Sequence, residues 1–308
     1  MMEKSRSYEE FKESFREQLK NTLGDSIEIQ EQNCLKNNDL QVEMLTCKEE
    51  GKNLTPRIRT REFYDLYRQQ GMKTAVEVAT EILGDRRKVD IHKVIEPWEV
   101  MKSGVNVEVI NYEWNQDRLK KEKIVYEKIL DQAVVFTVNL REDEDLKMTI
   151  TSGLLEQWKI TRDELMNVAY ENFAKADYAI ISYEDVMEQL LGLRIQSELC
   201  VLLNRSRLRG ASGMLRIDLL QDLADKKESD LLILPSSVNE VLLLAEEDNM
   251  LDMDSVKKMV EDINRDYVDE EERLSDNIYI YRRETGKISI CNSEEAKCEE
   301  DIRLCKGK

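Results

Sequence analysis

A single histidine, His92, stands in the whole chain, and prolines number only three. Catalytic triads and most catalytic zinc sites need at least one imidazole held by a further group, so chemistry of that kind would have to pass through this residue. Glu96, four residues on, can pair with it across one helical turn, but a solvent-exposed histidine beside an acid is the commoner case. With so little proline there is no obvious linker. Long apolar runs are missing too: Leu231 to Leu234 and Val241 to Ala245 are a few residues each, whereas a membrane-spanning helix needs ~20. No membrane span is expected. The opening MMEKSRSYEEFKES puts acids where a signal peptide needs an apolar core, so nothing directs export and the expectation is a cytosolic protein.

Positive charge is in deficit, with 46 Lys and Arg against 64 Asp and Glu for a net charge of −18. Such a field repels phosphate backbones and anionic headgroups, because nucleic-acid affinity rests on a row of cationic contacts; nucleic acid is therefore disfavoured as a partner. Arg205, Arg207 and Arg209 form the one local basic cluster singled out, and three arginines in a loop read most simply as a solvated turn. Charged residues reach 36%, above the ~25% of a typical globular chain. Aliphatic residues are nevertheless spread through every segment, so a packed core is expected. At 308 residues the chain is long enough for one large domain or two ordinary ones.

The six cysteines, at 34, 47, 200, 291, 298 and 305, lack the dense pairing of a disulfide scaffold and read as reduced thiols. Cys291, Cys298 and Cys305 recur every seven residues. On a helix that step is ~10.5 Å, whereas thiolates sharing one zinc lie within ~4 Å of each other. Neither a metal site nor an intra-helical disulfide follows. With Ile302 the cysteines make a narrow apolar stripe suited to packing or to a partner.

Local signals divide the chain into short elements. Ser7 with Glu10 is a capping box ahead of Phe11, Phe15 and Leu19, and Gly24 stops that helix. β-like stretches near Ser26–Ile29 and Leu40–Leu45 precede a helical region after Pro56, whose Met72, Val76, Ala79 and Leu83 share a face up to Gly84. Alternation at Val105–Val109, an apolar run at Ala133–Val138 and alternation through Leu146, Met148 and Ile150 predict three antiparallel strands. Two capped helices follow, Thr161 with Glu164 before Leu165, Val168, Ala169 and Phe173, and Ser182 with Asp185 before Val186, Leu190 and Gly192. The last third predicts a strand at Leu199–Leu203, a helix over Ser212–Ala224, and two strands around Pro235-Ser236-Ser237. A helix with Val256, Met259, Val260, Ile263 and Tyr267 on one face comes next. A hairpin of Asn277–Tyr281 and Lys287–Ile290, closed by Gly286, ends the series. The fold class expected is α+β, with mixed, largely antiparallel sheets and amphipathic helices rather than a doubly wound order. The expected organisation is an N-terminal α+β region over 1–195, a C-terminal α+β region over 196–290 with the seam near Gly192–Gln196, and an acidic cysteine-containing tail over 291–308, a short helix or disordered.

These elements carry seven ordered blocks: KNND (Lys36 to Asp39), EFYDLYRQQG (Glu62 to Gly71), VINYEWN (Val109 to Asn115), DQAVVF (Asp131 to Phe136), LEQWKITRDEL (Leu155 to Leu165), LLILPSSVNEVLLL (Leu231 to Leu244) and SDNIYIYRRETGKI (Ser275 to Ile288). In that order they resemble domain-of-unknown-function family 5688, an uncharacterised family of anaerobic Gram-positive bacteria, over residues 7 to 290. The resemblance implies no activity, cofactor or catalytic residue. It does show a departure, because the family pattern often carries histidine after PSS-[IV] and this chain has Asn239 there.

Other candidate chemistry has a plain alternative. Gly210-Ala211-Ser212-Gly213 opens a helix after a strand, where amides can hold an anion, but it lacks the lysine and spacing of a phosphate loop and reads as a turn capped by Ser212. Ser236 and Ser237 lack the nucleophile-elbow setting and a base, so turn hydroxyls that satisfy backbone groups are the simpler reading. Acid pairs such as Asp163/Glu164 and the run Asp269–Glu272 fit a solvated acidic surface. The leading functional reading is a non-catalytic binding or regulatory protein with an unknown protein or small-molecule partner, no cofactor and no metal. Its candidate ligand site is Ser236, Ser237, Asn239 and Glu240. The alternatives are a hydrolase-like enzyme using the same dispersed serine and carboxylate residues and, more weakly, an acidic mimic of nucleic acid.

Overall fold

A computed structural model of the chain describes residues 6–24, 27–48, 57–84, 96–140, 147–194, 196–235, 237–248 and 252–291. His92, Ser236 and the tail from residue 292, with Cys298 and Cys305, lie outside them. The fold is α+β, in two compact units: residues 1–36 with 40–96, and residues 37–39 with 97–308.

In the first unit, helix α1 (Tyr8–Leu23) starts at the expected capping box, with Ser7 accepting from the Glu10 amide and Glu10 reaching back to Ser7, and buries Phe11, Phe15 and Leu19. The β-like stretches are longer than their apolar cores suggested. Strands β1 (Glu28–Leu35), β2 (Gln41–Lys48) and β3 (Arg57–Arg59) form an antiparallel sheet in that order. Helix α2 (Thr60–Gly84) is interrupted at Gly71, whose φ of 87° and ψ of 167° leave the helical region. A residue with a Cβ resists that positive φ, so glycine lets two helical stretches meet at an angle. Phe63 and Tyr67 before the break, and Ala75, Val76, Ala79 and Leu83 after it, join the core of α1. Rings stack there, Phe11 on Phe15 at 4.9 Å, Phe15 on Phe63 at 5.6 Å and Phe11 on Tyr67 at 5.2 Å.

The second unit opens with a short helix, α3 (Trp98–Met101), and a four-stranded antiparallel sheet. Strand β6 (Gln132–Asn139) is its centre, flanked by β4 (Val105–Asn111) on one edge and by β5 (Tyr126–Ile129) and β7 (Lys147–Thr149) on the other. Its residues are buried from Gln132 to Val138, as its unbroken apolar run implies. Helix α4 (Gln116–Lys121) sits between β4 and β5, and α5 (Ser152–Trp158) and α6 (Arg162–Lys175) follow, α6 with the predicted Thr161–Glu164 capping box.

The rest is a six-stranded, wholly antiparallel sheet of β8 (Tyr178–Ser182), β9 (Cys200–Asn204), β10 (Leu231–Leu234), β11 (Val241–Ala245), β12 (Tyr279–Arg282) and β13 (Lys287–Ile290), in the order β13-β12-β10-β11-β9-β8. The seam expected at Gly192–Gln196 falls between β8 and β9, which pair with each other. Helix α7 (Tyr183–Leu191) links them, and α8 (Ile217–Lys227) and α9 (Met253–Tyr267) follow β9 and β11. As predicted, β10 and β11 pair around Pro235, with Leu231, Leu232 and Ile233 fully buried.

Two expectations need correction. Helix α9 does not bury Met259 and Tyr267, which are 42% and 85% exposed; it buries Val256 and Val260 in a cluster with Leu232, Leu234 and Ile280, and Asn264 beside them on the helix. The inward stripe runs through Asn264, whose carboxamide donates to the Ser275 carbonyl at 2.9 Å. Nor does Ser212 cap a helix: Gly210–Leu215 is a buried 3-10 segment and α8 begins only at Ile217. The Ser212 hydroxyl lies 2.8 Å from that of Tyr178, and a Cβ on Gly210 would stand 2.6 Å from the Asn239 carbonyl oxygen.

Candidate functional site

The turn between β10 and β11 contains the predicted site residues. Strand β11 begins at Val241, so Asn239 and Glu240 precede it and strand alternation does not set their directions. Ser237 is buried, and its Oγ accepts from the Asn239 amide at 3.0 Å. The Asn239 carboxamide oxygen accepts from the Arg209 amide at 3.2 Å, and its main-chain carbonyl from that of Gly210 at 2.9 Å. Ser237 and Asn239 are thus brought together, with their side-chain oxygens both accepting from backbone amides. Glu240 is half-buried; burial pushes its carboxyl above the usual range, and the charge of Glu272 adds to the effect.

That same turn grips the acidic loop between α9 and β12. Val238 donates to the Glu272 carbonyl at 2.8 Å, Ser275 donates to the Pro235 carbonyl at 3.1 Å, and Ser237 bridges to Arg273. The loop is held from other directions by asparagines. Asn37 donates to the Glu271 carbonyl at 2.7 Å, and Asn38 to those of Glu270 at 2.6 Å and Arg273 at 2.9 Å. Asn38 and Asn115 exchange hydrogen bonds, the Asn38 amide to Asn115 Oδ1 at 2.9 Å and Asn115 Nδ2 to Asn38 Oδ1 at 3.1 Å. Asn111 donates to the Leu274 carbonyl at 3.0 Å, and Asn264 to the Ser275 carbonyl at 2.9 Å and to Asp276 at 2.7 Å. The Asp39 carboxylate accepts the first amides of α4, Asp117 at 2.9 Å and Arg118 at 2.8 Å, so a residue distant in sequence supplies the cap that α4 itself lacks.

Asp131, at the corner before β6, accepts from Ser275 Oγ at 2.7 Å, from Asn277 Nδ2 at 3.0 Å and from the Tyr279 hydroxyl. Gln132 Nε2 donates to the same tyrosine oxygen at 2.6 Å. Burial, reinforced by the Asp131 charge, drives the Tyr279 hydroxyl far above the ordinary tyrosine range, so it remains a proton donor. Three buried amide oxygens, on Asn37, Gln132 and Asn264, have no partner among the described residues; each belongs to a side chain whose nitrogen holds this loop or its Asp131 anchor.

Sequence reasoning picked out Ser237, Asn239 and Glu240 here and missed Asn37, Asn38, Asp39, Asn111, Asn115 and Asp131. One signal could have found them: they are polar members of the same ordered blocks, KNND, VINYEWN and DQAVVF, that carried the resemblance.

The Arg209 and Gly210 amides bound by Asn239 close the loop that leaves β9. Arg205 donates to the Asp177 carbonyl at 3.1 Å and Arg207 to the Asn204 carbonyl at 3.1 Å, while Asn204 Nδ2 donates to the Leu208 carbonyl at 2.8 Å. Arg207 and Arg209 both sit at a φ of 56°, and Leu208 is 56% exposed. None of the three guanidinium groups has an ion pair or side-chain hydrogen bond among the described residues. Arg216, Arg265, Arg282 and Arg283, by contrast, all pair with carboxylates.

Among the described residues no helix is long and apolar enough to cross a membrane. A family model described as a family of unknown function, DUF5688, matches residues 8–283, and the chain belongs to that family. No curated protein and no solved structure matches it.

Proposed function

We propose that this family member is a cytosolic, non-catalytic binding or regulatory protein, with the turn of Ser236, Ser237, Asn239 and Glu240 at its recognition surface and a protein or small molecule as its partner. The observation that carries the reading is how the polar side chains around the turn are used. Asn37, Asn38, Asn111, Asn239 and Asn264 each bind main-chain atoms of a neighbouring loop. Side chains so committed fix loop shape, and a loop ordered in advance loses less entropy when a partner binds. The net charge of −18 favours a partner other than nucleic acid. Immobilised protein is expected to retain a specific protein or small molecule from an extract of related cells, identified by mass spectrometry. Asn239→Ala, with an unchanged circular dichroism spectrum, should retain less. Equal retention by the two would reduce the turn to a connection between core strands.

A second reading, a hydrolase-like enzyme, is favoured by one feature: a half-buried carboxyl with a raised pKa, Glu240, three residues from a serine, since perturbed acids mark candidate functional sites. Hydrolysis of a simple aryl ester that disappears in both Ser237→Ala and Glu240→Gln would support it.

A further inference from the structure

We propose that the loop Arg205–Arg209 is a docking element for an acidic, partly apolar peptide segment of another protein; this rests on reading the chain as a binding protein and names the partner's chemistry. In a chain of net charge −18, carboxylates are abundant enough to neutralise most guanidinium groups, yet those of Arg205, Arg207 and Arg209 find no partner among the described residues. They flank Leu208, which is 56% exposed. An exposed leucine between unpaired cations matches a segment that offers an apolar side chain between carboxylates, because guanidinium groups bind carboxylates in a planar, two-pronged geometry.

The loop is also held ready. Ser206 Oγ donates to Asn204 Oδ1 at 3.1 Å and accepts from the Leu208 amide at 3.4 Å; Asn204 and Asn239 hold the far end at the Leu208 carbonyl and the Arg209 amide, and the Asp177 carbonyl holds the near end at the Arg205 amide. Arg207 and Arg209 keep the left-handed backbone at φ 56°, a conformation that disfavours residues other than glycine and persists only where the surroundings impose it. Phosphate would satisfy the guanidinium groups equally well, and the net negative field opposes both kinds of anion, so the choice rests on Leu208, which a nucleic-acid backbone leaves without an apolar contact and a mixed acidic and apolar segment covers.

The test uses the full chain and a short fluorescein-labelled peptide of alternating Glu and Leu, with an all-Glu peptide and a single-stranded oligonucleotide of equal length as competitors. Wild type is expected to bind the Glu–Leu peptide saturably, more weakly as salt rises, and in preference to both competitors. Replacing the three arginines together, Arg205→Gln, Arg207→Asn and Arg209→Asn, should weaken binding roughly tenfold, as expected for the loss of several exposed charge pairs. Asparagine is chosen where the left-handed backbone must be kept. Leu208→Ser should abolish the preference for Glu–Leu over all-Glu. Absence of saturable binding, equal affinity in the correctly folded triple variant, or tighter binding of the oligonucleotide would each overturn the proposal. If the triple variant still retains the natural partner that Asn239→Ala loses, the binding reading stands and the loop assignment alone fails.

Discussion

In the unit of residues 1–36 and 40–96, the buried centre is aromatic, with Phe11, Phe15, Phe63 and Tyr67 in successive ring contacts. In the unit of residues 37–39 and 97–308, apolar sheets are joined by buried amides and hydroxyls, among them Asn37, Asn111, Asn115, Gln132, Asn264 and Ser275. Ring contacts favour certain geometries but tolerate small shifts. Hydrogen bonds to specific main-chain atoms do not, since a buried polar group left unpaired costs far more than a satisfied one gains. The first arrangement fills space; the second fixes the courses of loops, and the candidate site lies where loops are fixed.

The comparison is broken most directly by truncating a ring. Phe15→Ala, at a fully buried position, should cost ~3–5 kcal/mol, the usual range for a large core aromatic. A denaturant midpoint equal to that of wild type would mean the aromatic core is not what holds that unit.

A smaller effect, and a different kind of response, is expected at Asn115. Alanine there leaves the Asn38 amide and the Asn111 carbonyl without their partner, at ~1–3 kcal/mol for a buried group so exposed. Combined with Asn38→Ala the losses should not add, because the two asparagines bind each other. Strictly additive midpoints in the double-mutant cycle would show that the amide network does not act as a unit.

The smallest effect depends on pH. With its pKa raised in the folded state, Glu240 contributes stability that is complete below the ordinary glutamate pKa of ~4.3 and is lost as pH rises through the folded value. Glu240→Gln should therefore melt slightly above wild type at neutral pH, with the difference closing in acid. A variant whose melting temperature tracks wild type at every pH would deny that Glu240 is desolvated.

Much of the secondary structure was legible because short-range physics governs it. The Ser7 and Thr161 capping boxes, the four-residue repeat of Phe11, Phe15 and Leu19, and the strands on either side of Pro235 all follow from contacts within a few residues. Helix α9 was misread where that rule fails. Apolar periodicity placed Met259 and Tyr267 inward, but Asn264 is buried instead, because its amide has a partner in Ser275, a residue on the far side of a loop. The site was legible only in part for the same reason. Ser237 and Asn239 stood out at a turn, whereas Asn38 gave no local sign that it binds the carbonyls of Glu270 and Arg273.

By itself the sequence determined the α+β class, the net charge of −18 and the family, since composition, periodicity and ordered blocks are properties of the chain read along its length. Only the tertiary structure decided that KNND, VINYEWN, DQAVVF and the PSSVNE turn close on one acidic loop, and that Asn239 holds the arginine loop in place. Those are hydrogen bonds between segments up to 235 residues apart, and the energy of a buried amide is fixed by which distant carbonyl it meets.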